Sequence, residues 1–430
     1  MKVLVIGSGG REHAICVSIS KSPLLNELYA LPGNAGISEV AVCCSNIDIL
    51  DFESIKRFCK EKSINIVVVG PEVPLAKGLS DYLANNDIDV VGCDSYSAQL
   101  ESSKSFTKEL CDATGIKTAA YEVFTEKDKA NSYLRSVSKF PIVIKADGLA
   151  AGKGVIIADD LKASEEAVSQ IFDGKFGEMQ KLVIEEFLEG IEASFFAISD
   201  GKTFKILSSA GDHKRIGEND TGLNTGGMGT YSPSPYVTKE VEKEIIEDIL
   251  KPTYSFLEQK GHPFRGIIFA GLMITNDQEV YLIEYNVRFG DPEAQSVFSR
   301  LETDFLDICQ KVVVGKLDEL DVVFTDKKAI TVVLSAKGYP EEYKKGTVIK
   351  NLDKVANLPN INVFHAGTKL VDGNLLANGG RVLNITAVGD DFNEAYKTVY
   401  DAVEMVEWED KYFRRDIAHK VLLGENRSIA

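Results

Sequence analysis

Short β-branched runs that end at glycine constrain the fold of the first hundred residues more than any other feature. Residues 3–6 run into a Gly-Ser-Gly-Gly turn, and residues 64–69 run into Gly70, Pro71 and Glu72. Runs that are apolar on both faces are typical of parallel strands covered by helices. The carboxyl ends of such strands meet at one edge of the sheet, where open α/β sheets bind ligands. The pattern predicts a doubly wound parallel α/β domain over residues 1–103.

The first glycine turn favours a small phosphorylated ligand over a dinucleotide. Glycines let backbone N–H groups and the positive end of a helix approach an anion. The dinucleotide fingerprint would need a small residue at position 12, where Glu12 stands, and an acidic end to the second strand, where Pro32 stands. Arg11 is the candidate charge partner of a phosphate. A turn that binds no ligand is the alternative.

Carboxylate, amide and guanidinium side chains alternate directly after another strand-like run, residues 280–283. Alternate side chains of a strand share a face, so Glu284, Asn286 and Arg288 should point the same way. The two oxygen ligands suit Mg²⁺, which keeps phosphate oxygens and water as its other ligands. The arginine suits a phosphoryl oxygen or a carboxylate. A polar strand end with a surface salt bridge is the alternative.

A loop of small residues at 147–154 lies between two strand-like runs, 141–146 and 155–158. Such a hairpin can close over a triphosphate, with backbone N–H groups and Lys153 as donors and Lys145 at the strand end. A Walker A motif is excluded because the required GK[ST] and following helix are absent. A hairpin with an exposed lysine is the alternative.

Composition and charge disfavour several functional classes. The net charge of −17 argues against a general nucleic-acid or anionic-membrane surface. No apolar run is long enough to cross a bilayer. The seven cysteines are scattered without a CxxC pair, which is typical of reduced thiols, and five histidines make a zinc site unfavourable. We therefore expect a cytoplasmic protein without a nucleic-acid or membrane partner.

These motifs, in this order along the chain, resemble those of the phosphoribosylamine–glycine ligase family in the ATP-grasp superfamily. Further blocks at residues 212–215, 224–229 and 364–368 extend the resemblance over almost the whole chain. It implies an α/β and α+β multidomain protein. After the N-terminal domain would come an ATP-grasp domain over 104–325, with a lid subdomain at about 120–190, and a small C-terminal α/β cap over 326–430.

The resemblance also implies an activity. ATP would drive the ligation of glycine to 5-phosphoribosylamine through glycyl phosphate, giving glycinamide ribonucleotide, ADP and phosphate, a step of de novo purine synthesis. Mg²⁺ or Mn²⁺ would be required, and the protein would be a monomer or weak dimer. Positioning and charge stabilisation would supply the catalysis, so no protein nucleophile is needed.

Roles for individual residues follow from the same resemblance. The implied catalytic residues are Arg288, Asp212 and Lys145. The residues implied for ATP are Lys104, Lys145, Gly152, Lys153, Gly154, Glu185, Glu186, Leu188 and Glu192. Glycine would meet Asp212, Arg288, Gly290, Asp291 and Pro292, and the metal would meet Glu284 and Asn286. Phosphoribosylamine would meet Gly9, Gly10, Arg11, Pro32, Asn34 and Glu72.

Two alternatives stay open at this point. One is an ATP-grasp ligase for a different carboxylate, such as bicarbonate or formate. The other is a nucleotide-binding regulatory protein without turnover, which the presence of Lys145, Glu284 and Asn286 disfavours. The preceding strand-like run, residues 270–273, is apolar, so the metal site is expected to rest on two side chains.

Overall fold

The first hundred residues form a parallel α/β layer in this computed structural model, which describes residues 1–149, 154–177 and 181–428, with side chains as far as residue 424. Its strands are β1 (Lys2–Gly7), β2 (Glu27–Pro32), β3 (Val42–Cys43), β4 (Ile66–Val69) and β5 (Asp89–Val91). Its helices are α1 (Gly10–Ser20), α2 (Phe52–Lys62), α3 (Glu72–Ala76), α4 (Leu79–Ala84) and α5 (Gln99–Ser102). The strands pair in parallel in the order β3-β2-β1-β4-β5. The predicted doubly wound layer is confirmed, with its switch point between β1 and β4.

A separate small sheet follows helix α6 (Lys104–Thr114). Its elements are β6 (Tyr121–Phe124), α7 (Lys127–Leu134), β7 (Ile142–Ala146), β8 (Val155–Ala158), α8 (Leu161–Phe172) and β9 (Leu182–Glu186). The strand order is β6-β9-β7-β8, and β7 and β8 form the predicted antiparallel hairpin. Helices α7 and α8 pack on this sheet around an apolar cluster of their own. This body lies within the range predicted for the lid.

A long antiparallel sheet begins in the central part of the chain. Its strands there are β10 (Ile191–Asp200), β11 (Phe204–Asp212), β14 (Gly229–Ser232), β15 (Arg265–Ile274) and β16 (Val280–Asn286), while β12 (Arg215–Gly217) and β13 (Thr221–Asn224) form a side hairpin. The helical segments are α9 (Lys239–Glu244), a π-helical turn (Ile245–Leu250), α10 (Lys251–Gln259), α11 (Glu293–Phe298) and α12 (Phe305–Val314). In the β15–β16 pairing, Gly271 lies opposite Glu284 and Leu272 opposite Leu282. Ile283 is therefore an extra residue, a β-bulge, in β16.

The C-terminal part extends the same sheet. Its strands are β17 (Lys328–Ala336), β18 (Thr347–Ile349), β19 (Ile361–His365), β20 (Thr368–Val371), β21 (Asn374–Ala377), β22 (Arg381–Gly389) and β23 (Lys411–Tyr412). Its helices are α13 (Leu352–Ala356), α14 (Phe392–Met405) and α15 (His419–Ser428). The full order is β16-β15-β10-β11-β14-β17-β22-β19, with β23 beside β17. Because β14 pairs with β17, the sheet crosses the boundary predicted at residue 325. The predicted boundaries of the three domains and of the lid stay predictions.

Among the described residues, every helix is too short or too polar to cross a membrane.

Candidate active site

A cavity of about 610 Å³ lies at the carboxyl edge of the N-terminal sheet. Of the residues predicted to meet phosphoribosylamine, Gly9, Arg11 and Pro32 line it, together with Asp291 from the turn after β16. The remaining wall consists of Gly7, Ser8, Glu12, Ser45, Asn46, Ile47, Asp48, Ile49 and Pro71. The sequence analysis missed the loop at 45–49. A polar Ser-Asn-Ile-Asp run directly after β3 was the available signal, because carboxyl ends of parallel strands meet at this edge.

Glu12 fills the crevice in which a dinucleotide fingerprint needs a small residue. Its carboxylate accepts hydrogen bonds from the Gly9 N–H and from Arg11 Nε, both at 2.6 Å. A Cβ at Gly7, whose φ is +123°, would come within 2.4 Å of the Glu12 side chain, and a Cβ at Gly70 within 2.2 Å. These two glycines therefore make room for the carboxylate. The crevice is occupied by the protein's own anion, which supports the exclusion of a dinucleotide.

The Arg11 guanidinium, predicted to meet a phosphate, is already bound within the protein. It donates to Glu12 and, through Nη1, to the Phe289 carbonyl at 3.0 Å, and the side chain is largely buried. Burial would lower the pKa of Arg11, but the negative charges of Glu12, Glu72 and Asp291 outweigh burial and raise it. Arg11 thus connects α1 to the turn after β16, and only part of its surface faces the cavity.

Two other residues predicted for phosphoribosylamine lie at a domain junction instead of lining the cavity. The Asn34 amide donates to the Ser8 carbonyl at 2.8 Å and to the His365 carbonyl at 2.9 Å. A Cβ at Gly10 would lie 2.4 Å from the side-chain amides of both Asn384 and Gln295. The roles of both residues were implied by the family resemblance, and the glycine-rich turns that contain them have the same composition whether they face a ligand or another domain.

Glu284 lies in a ring of cations. In β16 and just beyond it, Tyr285 and Val287 are buried, whereas Glu284 and Asn286 face the other side, as predicted. Burial would raise the pKa of the Glu284 carboxyl, but four cations outweigh burial and lower it: Lys214, Lys145, Lys104 and Arg288. Neither the Glu284 carboxylate nor the Asn286 amide has a hydrogen-bond partner among the described residues. A charged carboxylate and an amide oxygen with open coordination suit a hard divalent cation.

The Arg288 guanidinium lies between the first domain and the central sheet. Its Nη2 is 2.6 Å from Glu101 Oε1, and its Nε is 3.3 Å from Glu72 Oε2. Glu101 also accepts from the Val287 N–H at 2.9 Å. Glu72 and Arg288 were assigned to different substrates, and the structure places them in direct contact. Glu101 was missed, because an isolated acidic residue in a short helix carries no motif.

The predicted phosphate-binding lysines lie between the small sheet formed by β6–β9 and the central sheet, with Lys145 buried and Lys104 half-buried. Lys145 Nζ is 2.8 Å from Glu185 and 3.3 Å from the carbonyl of Ile283, the bulge residue. Lys104 Nζ donates to the Gly148 carbonyl at 2.9 Å. Burial is the main reason that the pKa of Lys104 is lowered. Of the predicted lid residues, Gly152 and Lys153 lie outside the described residues, while the Gly154 carbonyl accepts from the Ala146 N–H.

The residues predicted to meet adenine and ribose lie between 185 and 192, and several of their side chains are already bound by other protein groups. The Glu185 carboxylate is held by Lys145 and by Lys108 at 3.1 Å, a lysine that the sequence analysis missed. Glu186 accepts from the Ala120 N–H at 2.9 Å, and Leu188 lies half-buried in the connector after β9. Glu192 forms an ion pair of 2.5 Å with Lys214. Backbone groups of the connector, rather than the Glu185 carboxylate, are left to meet a base.

Asp212 ends β11 with a carboxylate that is incompletely paired. Its Oδ1 is buried and has no hydrogen-bond partner among the described residues. Burial, reinforced by the negative charge of Glu293, raises the pKa of Asp212 well above the usual carboxyl value. A Cβ at Gly227 would lie 2.8 Å from Asp212 Oδ1 and 2.6 Å from Pro292, so the loop at 225–228 packs closely on both. This oxygen can accept from a cationic ligand.

Among the residues that the structure describes, no group of three or more His, Cys, Asp or Glu side chains could hold a metal ion. The predicted arrangement of one carboxylate and one amide is compatible with this finding.

Comparison with protein families gives three consecutive matches. Family models described as the N domain, the ATP-grasp (A) domain and the C domain of phosphoribosylglycinamide synthetase match residues 1–101, 102–294 and 329–420. Together they cover most of the chain.

Individual relatives give the same result. Proteins named phosphoribosylamine–glycine ligase from Brucella melitensis and Agrobacterium fabrum are 48% and 49% identical to this chain over 426 residues, with 99% of this chain and 99–100% of theirs covered. A crystal structure of phosphoribosylamine–glycine ligase from Thermotoga maritima is 34% identical, with a TM-score of 0.84, and covers 97% of this chain and 100% of that one.

Proposed function

Because the chain belongs to the phosphoribosylglycinamide synthetase family of ATP-grasp ligases, we propose that it joins glycine to 5-phosphoribosylamine at the edge where its three parts meet. The glycine carboxylate takes the γ-phosphoryl group of ATP, giving glycyl phosphate and ADP. The amine nitrogen then attacks the acyl carbon, phosphate leaves, and the nitrogen loses one proton. The products are glycinamide ribonucleotide, ADP and phosphate.

The contact between Arg288 and Glu72 carries this proposal. It joins the start of α3, directly after the cavity-lining Pro71, to the segment that follows β16, so a sugar substrate in the cavity and a phosphate near Glu284 would be neighbours. A ligase that transfers an acyl group between two bound substrates needs this proximity, because holding the reacting groups together lowers the entropic part of the barrier.

In the proposed nucleotide site, lysines bind the ATP phosphates. Lys145 is buried and Lys104 half-buried near Glu284, where a cation interacts more strongly with phosphate than it does in water. Glu284 and Asn286 would hold Mg²⁺ or Mn²⁺, which neutralises charge on the transferring phosphoryl group when bound. On nucleotide binding, Lys145 would exchange Glu185 for a phosphate oxygen, while Lys108 would stay paired with Glu185.

In the proposed glycine site, Asp212 accepts from the ammonium group. Its unpartnered buried oxygen supports this role, since a buried acceptor without a donor is costly until a ligand supplies one. Gly290, Asp291 and Pro292 form the opposite wall. Arg288 would meet the glycine carboxylate, or its phosphate, by exchanging one of its two acidic partners.

The proposal extends to the setting in which the enzyme works. The acidic net charge and the scattered free cysteines support a cytoplasmic monomer or weak dimer that acts on small molecules.

A coupled assay of ADP release tests the proposed function. ADP formation should require glycine and 5-phosphoribosylamine together, and bicarbonate or formate should not replace glycine. Lys145→Met should abolish ADP formation because it removes a buried phosphate-binding cation. The exposed Lys129→Met, on the lid surface, is the matched control and should retain activity. Equal ADP release with bicarbonate in place of glycine would refute the substrate assignment.

A further inference from the structure

One arginine from the C-terminal part of the chain holds two loops of the candidate active site together. Arg381, the first residue of β22, donates through Nη1 to the carbonyls of Gly226 at 2.6 Å and Gly227 at 3.3 Å. The same nitrogen donates to the Asp291 carbonyl. The first two acceptors belong to the loop at 225–228, and the third belongs to the turn that forms a wall of the proposed glycine site.

The Arg381 side chain packs closely against the loop at 225–228. A Cβ at Gly226 would lie 2.8 Å from the Arg381 guanidinium carbon. Gly227 has a φ of +112° and touches both Asp212 and Pro292. The Gly226 N–H donates to Tyr339 Oη at 3.2 Å, which is a second hydrogen-bonded contact between the C-terminal part and this loop. The relative placement of β11 and the turn at 290–292 therefore depends on residues of the C-terminal part, with Arg381 lying 90 positions after Asp291.

We propose that Arg381 is a positioning residue for the acyl-transfer step. By binding carbonyls of both loops with one cationic nitrogen, it fixes the separation between the Asp212 carboxylate and the turn around Asp291. Charge-assisted hydrogen bonds are stronger than neutral ones, so a single guanidinium can reinforce the packing of Gly227 on Pro292. This inference rests on the proposed function, since it assumes that glycine lies between Asp212 and that turn.

The role predicts a specific kinetic pattern. A displaced Asp212 weakens glycine binding and misaligns the acyl group, whereas the ATP phosphates, held by Lys104 and Lys145, keep their contacts. Arg381→Lys should therefore raise the KM for glycine and lower kcat, each by roughly ten-fold and together by up to about a hundred-fold in kcat/KM. The KM for ATP should stay within about three-fold of wild type.

The matched control is Arg300→Lys. Arg300 is also largely buried and donates to two backbone carbonyls, those of Lys327 at 2.7 Å and Thr325 at 3.0 Å, but it contacts neither of the two loops. We expect this variant to lose thermal stability without a change in the KM for glycine. Arg381→Ala, assayed with and without millimolar guanidinium chloride, is the second variant. Because the added ion can refill the vacated site, it should restore part of kcat.

The outcomes are distinct. If Arg381→Lys lowers only kcat, in proportion to its unfolded fraction, and guanidinium restores nothing, the arginine is merely structural and the inference is wrong. A wild-type KM for glycine in Arg381→Lys would also overturn it. If wild-type protein releases ADP without needing glycine, the proposed function fails first. Raised glycine KM, constant ATP KM and guanidinium rescue together would establish the positioning role.

Discussion

Glu284 shows how a carboxylate stays charged away from water. Burial disfavours the ionised form, yet Lys214, Lys145 and Lys104 stabilise it strongly enough to lower its pKa. The carboxylate has no hydrogen bond of its own among the described residues, so its negative charge is available to a ligand. Three of these cations are also paired with other carboxylates, Lys214 with Glu192, Lys145 with Glu185, and Arg288 with Glu72 and Glu101. The phosphates of a bound nucleotide would therefore compete with these ion pairs for the cations.

The first prediction concerns the negative charge of Glu284. Glu284→Gln keeps the shape of the side chain and removes its charge, so the Mg²⁺ concentration for half-maximal activity should rise roughly ten- to hundred-fold. This concentration is measured by following the rate of ADP release as MgCl₂ is added. Glu279→Gln is the control, because Glu279 is exposed and pairs only with the surface residues Lys117 and Tyr281. An unchanged Mg²⁺ titration in Glu284→Gln would remove this residue from the metal site.

The second prediction uses the raised pKa of Asp212. Below that pKa the carboxyl is neutral and cannot pair with the ammonium group of glycine, so glycine binding should strengthen as pH rises through it. Log KM for glycine should therefore fall with rising pH in wild type, starting above the usual carboxyl range. Asp212→Asn should have a high KM that is independent of pH.

The groups near Asp212 define the control for that experiment. Glu293, Glu192, Lys214 and Arg381 all interact electrostatically with Asp212. Acidic neighbours raise the pKa values of Lys214 and Arg381 further above those of carboxyl groups, whereas burial raises the pKa of the Glu293 carboxyl, which could therefore titrate in the same range as Asp212. Glu293→Gln should therefore shift the pH profile toward lower pH, because it removes a neighbouring negative charge. A profile in Asp212→Asn that matches wild type would show that another group controls glycine binding.

At the scale of elements, the strands and their polar ends could be predicted from sequence, whereas their partners could not. Apolar runs and glycine turns are local signals, and they located β1, β4 and the polar face of β16. The bulge at Ile283 depends on the register of β16 against β15, which no local pattern encodes. That bulge offers its carbonyl to Lys145, so the contact also escaped prediction.

Site residues without a motif were missed for a related reason. Glu101 and Lys108 pair with residues 187 and 77 positions away, and each looks like an ordinary helix residue in the sequence. The Asn34 amide donates to carbonyls of Ser8 and His365, contacts that turn composition does not reveal, and its role toward phosphoribosylamine stays a prediction. The type of a side chain predicts which bonds it can form, but the fold determines which protein group or ligand is its partner.

The third prediction concerns the loop at 45–49. Asn46 lines the N-terminal cavity and has no side-chain hydrogen bond among the described residues, so it is free to bind a sugar hydroxyl or a phosphate oxygen. Asn46→Ala should raise the KM for phosphoribosylamine roughly two- to ten-fold and leave that for ATP unchanged. Asn85→Ala, after α4 at the opposite edge of the sheet, is the control. A change in ATP KM alone would assign the cavity to the nucleotide.

At the scale of the whole molecule, the N-terminal layer and the C-terminal extension meet directly. His13 in α1 and His365 at the end of β19 have ring centroids 5.6 Å apart, and both are buried. The His365 N–H donates to His13 Nδ1 at 2.8 Å, while His365 Nδ1 pairs with Thr368 Oγ1 at 3.0 Å. A Cβ at Gly36 would lie within 2.6 Å of both rings. Parts of the chain 352 residues apart are thus connected by two neutral imidazoles.

The last prediction follows from the protonation of this pair. Burial, with the neighbouring His365 as a second cause, lowers the pKa of His13 to about 3, and burial lowers the pKa of His365 to about 4. In the unfolded chain both imidazoles take up protons as pH falls through about 6.5, whereas in the folded chain they stay neutral until a much lower pH. The contribution of the pair to the free energy of unfolding is therefore complete above pH 6.5 and is lost as pH falls toward 4. Each histidine should lower the free energy of unfolding by up to about 1.4 kcal/mol per pH unit in that window.

Urea unfolding at pH 7, 6 and 5, followed by the fluorescence of Trp408, the one tryptophan of the sequence, measures this slope. His13→Asn supplies an amide oxygen that can accept from the His365 N–H but does not titrate. The change in the free energy of unfolding per pH unit should therefore decrease by about the contribution of one histidine. His262→Gln is the control, since His262 is partly exposed and lies outside the contact between the two layers. If His13→Asn keeps the wild-type slope, protonation of this pair does not limit the acid stability of the protein, and other buried groups must account for it.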